Sequence, residues 1–76
     1  MRDSIIIFDY SNLRGAIKSK GYIETAFAKE IDLSAVTLSS KLNGKTGFTE
    51  SEMCRIMDVL GIDYSEVARY FFCRNT

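Results

Sequence analysis

The side chains best placed to do chemistry in this sequence cluster between residues 34 and 46. They are Ser34, Thr37, Ser39, Ser40, Lys41, Asn43, Lys45 and Thr46. Hydroxyls and an amide donate and accept hydrogen bonds, and the two amines carry fixed positive charge. That is recognition chemistry, and little else in the chain suggests catalysis. There is no histidine. The two cysteines, Cys54 and Cys73, form no CxxC, so the common Cys/His zinc patterns are excluded and no metal site is expected. No glycine loop of the phosphate-cradling kind occurs. Asp58 with Asp63, and Glu50 with Glu52, read as cap and surface charges. No enzyme activity and no cofactor is expected.

Composition bounds the setting of these residues. A chain of 76 residues allows one domain, spanning 1–76, with a small core. The hydrophobic fraction of 46% and the charged fraction of 26% suit a folded chain and argue against wholesale disorder. The longest apolar run, Ile5-Ile6-Ile7-Phe8, is too short for a membrane span or a signal-peptide core, so no membrane partner and a cytoplasmic location are expected. Net charge is zero, which disfavours a strongly electrostatic nucleic-acid binder. Residues 1–45 hold seven Lys or Arg against five acids, and residues 46–76 hold three against five. The bias is mild and decides nothing alone.

The elements that must position the 34–46 cluster can be read from spacing and caps. Ile5 to Phe8 is β-branched and aromatic, which suits a short extended segment. Asp9 or Ser11 can cap a first helix with Leu13, Ala16 and Ile17 on one side, ending at Gly21. A second helix from about Ile23 to Ile31 repeats apolar residues at Ile23, Phe27 and Ile31. Ser34 is a good N-cap for a third, which buries Leu38 and Leu42 and stops at Asn43-Gly44. Thr49 to Glu52 reads as a capping box opening a fourth helix with Met53, Ile56, Met57 and Leu60. Asp63 to Glu66 reads as a second box before a fifth helix bearing Tyr64, Val67, Ala68 and Phe71.

Five short helices with tight links indicate an all-α domain. Only Asp32 and Leu33 separate Ile31 from Ser34. So short a link forces helices two and three to cross steeply with Leu33 wedged between them, a helix-turn-helix over about 23–43. The outer face of the third helix is left exposed.

Phe27-Ala28, Leu33, Ser34, Thr37-Leu38-Ser39 and Asn43-Gly44-Lys45 resemble the Cro/C1-type (Xre-like) helix-turn-helix family. FDYSNLRG and SSKLNGKTGFTESE look like its small phage Cro- or repressor-like members. The resemblance covers about Phe8 to Phe72. It implies a five-helix λ-repressor-like DNA-binding domain whose third helix, 34–42, enters the major groove of an operator. Ser34 falls at the N-cap of that helix, Ala35 and Val36 on its first groove-facing turn, and Ser39 and Ser40 on the next. Asn43 and Lys45 fall in the loop that commonly meets phosphates. Asp32 stands where the family usually has glycine, so its backbone must adopt left-handed geometry. Glu24 puts a negative charge beside the backbone, where Gln is preferred.

Small hydroxyls let a helix approach base edges closely, serine donates to or accepts from several bases, and Ala35 or Val36 can touch thymine methyls. Lys41 and Lys45 would pair with phosphates, with hydroxyl contacts from Thr25 and Thr46. The plainer reading of Ser39 and Ser40 is two solvated positions on a poor helix former. The expected function is a sequence-specific DNA-binding transcriptional regulator of the phage Cro or repressor type, with double-stranded operator DNA as partner. The alternative is a protein-binding modulator on the same scaffold, whose partner is another phage repressor. Self-association is expected through the apolar ends, Ile5, Ile6 and Ile7 with Tyr70, Phe71 and Phe72. The two ends pair either within one chain, as a small ribbon on the fifth helix, or, the favoured reading, across a two-fold axis in a homodimer.

Overall fold

Two side-chain caps fix where the central helices begin. The Ser34 hydroxyl accepts the Thr37 N–H at 3.1 Å, and Thr49 and Glu52 each accept the other's backbone N–H, at 3.1 and 2.9 Å. Caps of this kind contribute about 1 kcal/mol each. The computed structural model describes residues 8–73, and the protein is all-α over them. The helices are α1 (Ser11–Ser19), α2 (Glu24–Glu30), α3 (Ala35–Leu42), α4 (Glu50–Leu60) and α5 (Val67–Phe71), the last entered through a 3₁₀ turn at Tyr64–Glu66. Among the described residues there are five α-helices and no strand. No helix of the described chain is long and apolar enough to cross a membrane.

Before α1, the Asp9 carboxylate accepts the Ser11 N–H at 2.9 Å. At the other end, α1 and α4 close on Gly21 at φ +85° and Gly61 at φ +68°, left-handed positions that glycine takes without steric cost. The expected second capping box is absent. Ser65 donates its hydroxyl to the Asp63 carboxylate at 2.8 Å, and Asp63 makes no side-chain cap. The chain enters α5 through the 3₁₀ turn.

One core joins all five helices. Leu13 and Ile17 of α1, Phe27 and Ala28 of α2, Leu38 and Leu42 of α3, and Ile56, Met57 and Leu60 of α4 are buried, with Tyr10, Ile31 and Phe71. Burying a side chain of the Leu, Ile or Phe class contributes about 1.5–3 kcal/mol. An aromatic file closes one side. The Tyr10 and Phe48 rings meet edge-on at 5.3 Å, and Phe48 meets Phe71 in the same way at 5.3 Å.

Phe71 was expected at an association surface, and the structure corrects this. It is 1% exposed and belongs to the core. Tyr70 is half-buried against the same cluster. Phe72 is exposed but packs edge-on against Phe8 at 5.9 Å. Ile5, Ile6 and Ile7 lie outside the described residues. The described chain ends meet within one molecule, where the Asp9 N–H donates to the Cys73 carbonyl at 2.7 Å.

The α2–α3 pair is fastened from both sides. Asp32 takes the left-handed conformation at φ 63°, which lets the Leu33 N–H return to the Ala28 carbonyl at 2.8 Å. Leu33 is half-buried against the core. From α4, Arg55 donates to the Ile31 carbonyl at 3.0 Å and satisfies the open end of α2.

Candidate functional site

Most of the side chains singled out in the sequence surround one shallow concavity. Thr25 and Glu24 line it from α2; Ala35, Val36, Ser39 and Ser40 line it from α3; Asn43 and Lys45 close its far end. Among the described residues Val36 is the most exposed of the large apolar side chains, at 77%. Ser39 and Ser40 are half-buried, while Thr25 and Lys45 are exposed. Ser34 stays on the helix as its cap, and its hydroxyl also donates to the Thr37 hydroxyl at 2.8 Å. Thr46 falls elsewhere, beside Phe8, Tyr10 and Gly44.

The charges on this face are largely consumed within the molecule. Arg14, which the sequence did not single out, reaches across from α1. One of its guanidinium nitrogens lies 2.6 Å from the Glu24 carboxylate, and the other donates to the Asn43 side-chain oxygen at 2.9 Å. The Asn43 amide in turn points at the Ser39 hydroxyl, 3.5 Å away. Arg14 thus ties the start of α2 to the end of α3. Nothing in the local spacing of the sequence announces this link, because its partners lie ten and twenty-nine positions away.

Lys41 was expected to meet a phosphate. It is buried instead. Its ammonium donates to the Gly47 carbonyl at 2.7 Å and lies 3.1 Å from the Glu52 carboxylate, 5.8 Å from the centre of the Phe48 ring. Burial pushes the Glu52 carboxyl up, but the Thr49 N–H and the Lys41 ammonium outweigh it and hold the group below its ordinary value. The lysine serves the loop between α3 and α4 rather than the outer face.

A second apolar surface shares no lining residue with the first. Met53, Cys54 and Met57 of α4, with Tyr64, Val67 and Phe72, form a groove of about 320 Å³. Tyr64 donates to the Asp58 carboxylate at 2.6 Å across its edge. Among the described residues no group of His, Cys, Asp or Glu is disposed to hold a metal ion.

The chain is similar to the modulator of repression of the temperate bacteriophage TP901-1 from Lactococcus lactis, known from its solution structure. The two share 35% sequence identity and superpose with a TM-score of 0.75, over 86% of this chain and 88% of that one. No curated protein matches the chain. The family model that matches is described as a protein of unknown function (DUF739) and takes in residues 6–74. These findings overturn the Cro/C1-type assignment and the operator-reading regulator inferred from it: the likeness runs to a modulator of repression, and the matching family is another one. The helix-pair pattern that suggested the assignment reflects how α2 and α3 are joined and packed in this chain. With nearly all of its length matched, the chain belongs to the DUF739 family.

Proposed function

We propose that this protein is a non-enzymatic phage modulator that acts by binding another repressor protein, on a helix-turn-helix scaffold. The observation that carries this reading is the 35% identity, over 86% of the chain, to a phage modulator of repression.

The distribution of charge supports it. Affinity for duplex DNA rests on several lysines and arginines free to neutralise phosphates. On the α3 face, Arg14 is engaged by Glu24 and Asn43, and Lys41 is buried. Lys45 is the cation left at the rim of that concavity among its lining residues. A net charge of zero gives no compensating long-range attraction. A partly apolar face with a single unpaired cation among its lining residues suits a protein surface better than a polyanion.

The test uses a labelled operator occupied by the repressor encoded in the same phage genome. Adding the full chain should change operator occupancy, read by fluorescence anisotropy, while the chain alone leaves the operator's anisotropy unchanged. Unchanged occupancy at a large excess of the chain would refute the proposal.

A further inference from the structure

We infer that Ile23 and Val36 form the apolar centre of the face that grips the repressor, an inference that rests on the modulator reading above. Two concave surfaces adjoin at Glu24. One runs over Arg14, Lys18, Tyr22 and Ile23, with a volume of about 440 Å³. The other is the α2–α3 concavity that contains Val36, of about 450 Å³. Ile23 is 69% exposed and Val36 is 77% exposed, the two largest exposures among the large apolar side chains of the described residues.

The fold gives neither residue a reason to be aliphatic. Ile23 occupies the N-cap of α2 and makes no side-chain cap bond there. Aspartate or serine would satisfy a free N–H at that position and stabilise the helix. Val36 sits in the first turn of α3 without reaching the core, and β-branching does not favour a helix. Exposed apolar groups kept against the interests of the isolated fold mark a surface that is covered in use.

Charge then describes what covers it. The Glu24 carboxylate is matched by Arg14, which leaves Lys18 and Lys45, both exposed, flanking the apolar centre. The complementary surface on the repressor is an apolar patch flanked by carboxylates. Two flanking cations are few for a duplex, whose binding calls for many. The groove on α4 and α5 competes less well. The fold already uses Met57 in the core, Tyr64 on Asp58 and Phe72 on Phe8. The α2–α3 face is built wholly of described residues.

The test titrates the ¹⁵N-labelled full chain with the unlabelled repressor encoded in the same genome, beside the variants Ile23→Asp and Val36→Asp. Amide signals of Ile23, Glu24, Val36 and Ser39 should shift or broaden first. Each variant should weaken the complex about tenfold or more. Ile23→Asp should at the same time raise the melting temperature, because aspartate caps α2, so lost binding there cannot be ascribed to lost folding. Unchanged affinity in both variants, or shifts confined to Met53, Tyr64 and Phe72, would overturn the assignment of the face while the modulator reading stands. Absence of any complex with the wild-type chain would overturn both. Equal shifts of the same four residues with a random duplex would overturn the choice of a protein as occupant.

Discussion

Lys41 Nζ lies 3.1 Å from a carboxylate oxygen of Glu52, with only 10% and 15% of the two side chains exposed. The ammonium also holds the Gly47 carbonyl at 2.7 Å, and Glu52 is the residue that completes the cap of α4 with Thr49. One ion pair therefore joins the end of α3, the loop that follows and the first turn of α4. The face outside stays free of that charge.

Lys41→Ala should destabilise the domain by about 2 kcal/mol, since it leaves a largely buried carboxylate without its counter-ion and the Gly47 carbonyl without its donor. In a domain of this size that is a fall in melting temperature of about 10 °C. Lys41→Met, which keeps the stem over Phe48, should not recover the loss. Thermal unfolding of both variants followed by circular dichroism checks this. A melt unchanged by alanine would mean that the pair adds nothing net.

The same pair sets an acid limb. Because the folded Glu52 carboxyl titrates below its ordinary value of 4.5, the folded state binds fewer protons there than the unfolded chain. The stabilisation is complete above that ordinary value and is lost as pH falls through the lower, folded one. Glu52→Gln should therefore be less stable at neutral pH and should lose less on acidification. Urea midpoints measured from neutral pH downward should converge for the two proteins. Parallel curves would remove Glu52 from the account.

Asp32→Gly should raise stability by up to about 1 kcal/mol. The left-handed backbone at φ 63° strains any residue with a Cβ, although glycine gives back part of the gain through the unfolded chain. Asp32→Val should lose more than that gain, because β-branching is tolerated worst there. Equilibrium unfolding in urea separates the three proteins. A glycine variant less stable than the parent would show that the Asp32 side chain contributes something the geometry does not reveal.

Much of the fold was legible because caps and stops are local. Ser34, the Thr49–Glu52 box, Gly21 and Gly61 stand where their chemistry acts, and Asp32, standing where the resembled family has glycine, takes the left-handed backbone expected there. The Asp63 box misled because the chain turns there as a 3₁₀ rather than an α-helical turn, and the Asp63 carboxylate accepts the Ser65 hydroxyl and caps no N–H. Lys41 misled for a different reason. Its partners, Gly47 and Glu52, are brought to it by the loop, and nothing at 34–42 distinguishes a buried lysine from a solvated one. Arg14 was invisible on the same ground. Of the residues read for recognition, Thr25, Ala35, Val36, Ser39, Ser40, Asn43 and Lys45 share one surface. Its partner was not legible. Helix spacing encodes how α2 packs on α3, whereas the choice between a duplex and a protein turns on which charges the tertiary fold ties up.

The most direct measurement is sedimentation of the full chain with the repressor encoded in the same genome, at low and at moderate salt, beside the same chain with a duplex library. The proposed function predicts a complex with the repressor whose affinity changes by less than about tenfold between the two salts, and no stable complex with the duplexes. The contradictory result is no complex with the repressor at either salt, together with duplex binding that weakens about a thousandfold as salt rises.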